Sequence, residues 1–201
     1  MMKFVLGKKV TMTQVFDHGR MIPVTLVETK PCEVLQVKTK EKDGYCAIQI
    51  GFDKITKEKR IKKTMKGKEY RYLKEIRVSE SDLKNYKVGD SFASDFIEGD
   101  KIKVAGISKG KGFSGAVKKW GFKGRLSSTH GTKHELRTIG STGQSGPGRL
   151  FKGRKMAGRM GSERATVKNL RIIKIDKDNN LMAINGAIPG IRGTLIELDS
   201  R

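Results

Sequence analysis

The chain has 201 residues, 36% hydrophobic and 32% charged, and its 43 lysines and arginines against 21 acids give a formal charge of +22. That length supports one good core with at most a small appendage, and the low apolar content keeps the core compact. The charge selects polyanions, nucleic acid first and an anionic membrane surface second, and no run of eighteen apolar residues offers a membrane span.

The start, Met1–Val10, has no long apolar h-region, so the chain reads as cytosolic. Residues 2–16 (MKFVLGKKVTMTQVF) open with a short apolar strand and a glycine. Met21–Glu28 and Glu33–Lys40 follow, both rich in β-branched residues, and His18 in Asp17-His18-Gly19 reads as a turn residue. A turn at Asp43-Gly44 precedes the alternating Tyr45–Phe52. Cys32 and Cys46 have no CxxC spacing and lie in strand-like contexts, so buried free thiols are expected instead of a disulfide or zinc site.

Residues 54–75 are densely charged, and the expectation there is a solvated or RNA-facing excursion with some helix. Ser79 with Asp82 three positions on predicts a capped helical turn. After Val88-Gly89-Asp90 the strands resume, and Lys101–Ile107 leads straight into a basic stretch. Beyond it, Ala165–Asp176 and Asn180–Asn185 flank a turn at Lys177-Asp178-Asn179, Ile188-Pro189-Gly190 turns again, and Thr194–Leu198 is a last strand. The expected layout is mainly β, a small barrel or sandwich. It is built from residues 1–53, 88–110 and 165–201, with a charged, partly helical insertion at 54–87 and a basic loop at 111–164.

The segment 111–164 dominates the reading. It carries thirteen cations (Lys111, Lys118, Lys119, Lys123, Arg125, Lys133, Arg137, Arg149, Lys152, Arg154, Lys155, Arg159 and Arg164) against two acids, Glu135 and Glu163. It also holds twelve of the 24 glycines, and its apolar residues fall in no helical or alternating stripe. Such a segment buries too little surface to offset its chain entropy, so it should order against a polyanion. Charge runs are commonly just solvated faces, but here glycines allow close backbone approach to phosphate. The aromatics Phe113, Trp120, Phe122 and Phe151 are interleaved with the charges, and base stacking on such rings contributes about 1–3 kcal/mol each. Lys109, His130, His134 and Gln144 complete the candidate contacts. Folded RNA suits this irregular spacing better than the groove of duplex DNA.

Other chemistries fit less well. Gly110–Gly115 matches GxGxxG after a strand, yet Gly121 and Gly124 cut short any following helix, and no partner acid stands at the right distance. His130 and His134 are spaced i, i+4 without a credible helix or a third ligand. No nucleophile elbow or acid/base pair stands out, so the expectation is no enzyme, no metal, no cofactor, no small-molecule substrate and no membrane partner. A general DNA-binding protein fits the charge but not the interleaving, and an RNA-modifying enzyme has only the GxGxxG match behind it.

Ser108–Phe113 with Lys118–Phe122, and Phe151–Gly161 followed by Glu163-Arg164, resemble the large-subunit ribosomal proteins of the bacterial L-three family. GKKVTMTQVF (with Thr11 where a glycine is usual), DGYCAIQIGF at 43–52 and GAIPG at 186–190 extend the resemblance over essentially the whole chain. It implies a six-stranded translation-protein-type β-barrel carrying a long basic extended loop. It also implies direct binding of 23S rRNA near its 3′ end, a role early in subunit assembly, and a loop tip near the peptidyl-transferase region. Neighbouring large-subunit ribosomal proteins are the other implied partners. In some bacterial members a glutamine at the tip, just before a Thr-Pro-Gly, is methylated. Here the tip runs Gly140–Gly148 with Gly146 before Pro147, and Gln144 matches an earlier position, so no methylation is expected.

Overall fold

A computed structural model describes residues 3–17, 19–92, 95–125 and 130–200; the turn expected at His18 lies outside them. In chain order the elements are β1 (Phe4–Asp17), β2 (Arg20–Glu28), β3 (Cys32–Lys38), α1 (Lys40–Asp43), β4 (Ala47–Lys54), β5 (Tyr70–Arg77), α2 (Glu80–Leu83) and β6 (Ser91–Phe92). Then come β7 (Lys101–Ile107), β8 (Phe113–Ser114), α3 (Ala116–Trp120), β9 (Gly158–Arg159), β10 (Arg164–Asp176), β11 (Leu181–Asn185) and β12 (Leu195–Asp199). The protein is mainly β. It divides into two compact units, residues 1–107 with 164–201, and residues 108–163.

In the first unit six strands pair antiparallel in a closed ring, β1-β12-β7-β10-β11-β2. Period-two patterning puts Ile102 and Val104, Ile196 and Leu198, and Met182 and Ile184 into its core. Bulges at Lys9/Thr11, Val167/Leu170 and Ile172/Lys174 bend the long strands, as the curvature of such a sheet demands. Buried Lys9 donates from Nζ to the carbonyls of Ile188 (2.8 Å) and Gly190 (3.1 Å). The opening GKK stretch is thereby fastened to the IPG turn near the other end of the chain. The hairpin predicted at 177–179 joins β10 to β11, and Asp176 accepts the Asn179 backbone N–H at 3.2 Å.

The strand partners differ from the expected layout. Cys32–Lys38 and Ala47–Lys54 do not enter the ring but form a second sheet, in the order β5-β4-β3-β6. Alternation had marked them as strands, but it says nothing about which strand pairs with which. β5 was hidden among charges at 54–87, although Tyr70 and Ile76 are buried from it. The insertion is helical only in two 3-10 turns, Glu58–Arg60 and Lys63–Met65, and in α2. There Ser79 Oγ accepts the Asp82 N–H at 3.3 Å, the cap its sequence predicts. Both sheets share one hydrophobic cluster in which Val5, Val27, Ile50 and Phe52 are buried. Cys32 is buried as expected, and burial pushes its thiol up to about 11, whereas Cys46 is half-buried.

Candidate nucleic-acid interface

The ends of the basic segment are held by the ring. Ile107, last in β7, pairs with Arg164, first in β10. Arg164 also bonds Glu197 on β12, so this candidate contact is engaged at the base of the segment.

Residues 108–163 form their own unit, in which the two arms run side by side. The Ser108 N–H donates to the Glu163 carbonyl at 2.9 Å, Lys111 N–H to Met160 at 2.9 Å, and Met160 N–H to Gly112 at 3.0 Å. Further along, β8 pairs with β9 in the register Phe113↔Arg159 and Ser114↔Gly158. Gly161 permits this closeness: its φ is +79°, and a Cβ there would lie 2.1 Å from the Lys109 carbonyl oxygen. The GxGxxG match falls in this paired arm, where the Lys111 N–H and the Gly112 carbonyl are already bonded to Met160.

After Ser114 the chain makes the single helical turn α3, closed by the Gly121 N–H donating to Val117 at 3.0 Å. This turn delivers Trp120 to the opposite arm, where its Nε1 donates to the Met156 carbonyl at 2.7 Å. Lys119 and Lys155 place their ammonium groups 5.1 and 5.6 Å from the indole centroid. Two cations from different arms thus meet one ring face system, a contact worth about 0.5–1 kcal/mol each at exposed sites. Beyond this cross-brace, Gly124 approaches Leu136 so closely that a Cβ would lie 1.9 Å from its carbonyl oxygen. Arg125 pairs with Glu135 nearby, and Arg154 donates to the Ser141 carbonyl.

Among the described residues of this unit only Ser114 and Ala116 are buried. Of the candidate contacts, Lys119 and Phe122 are half-buried, and Lys109, Lys111, Lys118, Lys123, Lys133, Arg137, Gln144, Arg149, Lys152 and Arg159 are exposed. Phe113 and Phe151 are 82% and 61% exposed, while Trp120, at 41%, is partly spent on the brace. Arg125 with Glu135 is the ion pair this unit forms among the described residues, so most of its positive charge has no internal counter-charge. His130 is exposed with a positive φ of 55°, and His134 ends a 3-10 turn instead of an α-helix. Among the described residues no group of three His, Cys, Asp or Glu is placed to hold a metal, and no helix is long and apolar enough to cross a membrane. Sequence reasoning missed Met156, because its part is played by a backbone carbonyl that any residue could supply.

Such a unit can do one thing well chemically: present unpaired ammonium and guanidinium groups with open aromatic faces to a polyanion. Comparison with known proteins agrees in kind. The sequence model of the family described as Ribosomal protein L3 matches residues 71–189. The large ribosomal subunit protein uL3 of Carboxydothermus hydrogenoformans is 49% identical, over 98% of this chain and 96% of its own length. That of Thermosipho africanus is 47% identical over 97% and 96%, and that of Pseudothermotoga lettingae 44% over 99% and 97%.

Proposed function

The chain belongs to the ribosomal protein L3 family, and from that membership we propose that it is a structural component of the large ribosomal subunit that binds 23S-type rRNA directly. Its role is not catalytic. The closed ring is read as the translation-protein-type β-barrel, and the 108–163 unit as its rRNA-penetrating extension. Binding is placed near the 3′ end of the rRNA, with the tip at 140–148 directed toward the peptidyl-transferase region. Assembly of the subunit starts in part from this contact, in the cytoplasm, with other large-subunit proteins as neighbours.

The observation that carries the reading is a segment with thirteen cations and two acids whose ends are pinned together by the Ile107–Arg164 pairing. Pinning both ends removes much of the loop-closure entropy before RNA arrives. Cations then displace condensed counterions from phosphates, a gain that falls steeply as salt rises. Glycine-rich backbone lets the arms enter spaces too crowded for a globular domain. Sedimentation of a cell lysate at high salt tests this: the chain should stay with the large subunit. Release into the soluble fraction, or co-migration with DNA, contradicts it.

A further inference from the structure

Cations also converge where no candidate contact was assigned. Residues 54–69 hold eight lysines and arginines against two acids. A charge run of this kind is ordinarily a solvated face, but part of this one is folded around a cavity of about 340 Å³. Its lining comprises Asp53, Lys54, Ile55, Thr56, Lys57, Arg60 and Arg71.

The fold holds the cavity open. Asp53 turns the chain at the end of β4 with φ +64°. The Ile55 N–H donates to the Glu69 carbonyl at 2.8 Å and Arg60 N–H to Lys57 at 2.9 Å, which fixes the rim. Two of the cations rest near ring faces of β5: Lys54 Nζ lies 6.0 Å from the Tyr70 centroid and the Arg71 guanidinium 5.3 Å from Tyr72. Among the described lining residues Asp53 is the only acid, and its carboxylate is 3.8 Å from Arg71 Nη1, too far to occupy the guanidinium fork. Among the described residues no ion pair engages Lys54, Lys57 or Arg60.

We propose that this cavity is a second RNA site, in which Lys54, Lys57, Arg60 and Arg71 grip the phosphodiester backbone without reading bases. The proposal rests on the rRNA-binding reading above and adds a contact remote in sequence from 108–163. Four cations around one open cavity offer counter-charge to a phosphodiester backbone, and guanidinium forks donate to phosphate oxygens in pairs. Such contacts fix the position of a protein on RNA and carry little sequence preference.

The test uses the full chain and a large-subunit rRNA transcript. Lysine acetylation mapped by mass spectrometry should show Lys54 and Lys57 protected in the binary complex relative to the free chain. Equal acetylation in both overturns the proposal, as does protection seen only in whole subunits, which would indicate an acidic protein neighbour. Separately, K57Q/R60Q removes two exposed charges, so its log K against log salt slope should be shallower by about 1.4–1.8, at 0.7–0.9 per phosphate. K118Q/K119Q serves as the comparison in the basic segment. A shallower slope for that variant with an unchanged slope for K57Q/R60Q overturns the second site alone. Failure of the wild-type chain to bind the transcript more tightly than duplex DNA of equal length overturns the rRNA reading and this inference with it.

Discussion

Trp120 donates its indole N–H to the Met156 carbonyl, and its ring is approached by the ammonium groups of both Lys119 and Lys155. Its effect on RNA therefore passes through the geometry of both arms, whereas the exposed Lys118 offers only its own charge. Trp120→Ala removes one hydrogen bond, worth about 1 kcal/mol, and both cation–ring contacts. Chemical probing of rRNA in assembled subunits should show a wider disturbance around Trp120→Ala than around Lys118→Ala. Equal or reversed footprints contradict the bracing role. Phe113 and Phe151, far more exposed, are better placed to offer open faces to bases, a distinction that spacing in the sequence does not reveal.

At the scale of elements, Glu197 on β12 ties three strands together. Lys74 of β5 reaches it at 2.9 Å, and Arg164 of β10 bonds its other oxygen. Burial raises the cost of its charge, yet the hydrogen bonds from Arg164 and Lys74 outweigh that and hold its pKa below the usual glutamate range. A carboxylate with a lowered folded pKa stabilises the fold fully above its unfolded pKa, and that contribution is lost as pH falls through the folded value. Glu197→Gln should thus cost about 1 kcal/mol near neutral pH, a figure reduced for the partly solvated Arg164 and Lys74 heads. In denaturant melts the cost should shrink as pH falls through the lowered folded pKa, where the carboxylate takes up its proton. A cost independent of pH contradicts the charge-based account. The strands themselves were largely legible from alternation, as Lys101–Ile107 and Thr194–Leu198 illustrate. Their partners were not, because Cys32–Lys38 and Ala47–Lys54 have the same period whichever sheet they join.

Across the whole molecule, a packed β unit holds the two ends of a cationic unit that has little core of its own. The charge, glycines and aromatics of 111–164 were visible in the sequence because composition alone encodes them. The cross-brace at Met156, the close crossing of Gly124 with Leu136 and the cavity at 53–71 were not, because backbone atoms and tertiary approach create them. Lys9 makes the same point: it reads as one more surface cation until the Ile188 and Gly190 carbonyls are found around its Nζ. The division of labour between the two units is tested most directly by deleting residues 115–160 from a tagged copy and following it through sucrose-gradient sedimentation. The account predicts a folded, cooperatively melting protein that incorporates poorly into large subunits. Incorporation of the deleted chain at the level of the intact one would contradict it.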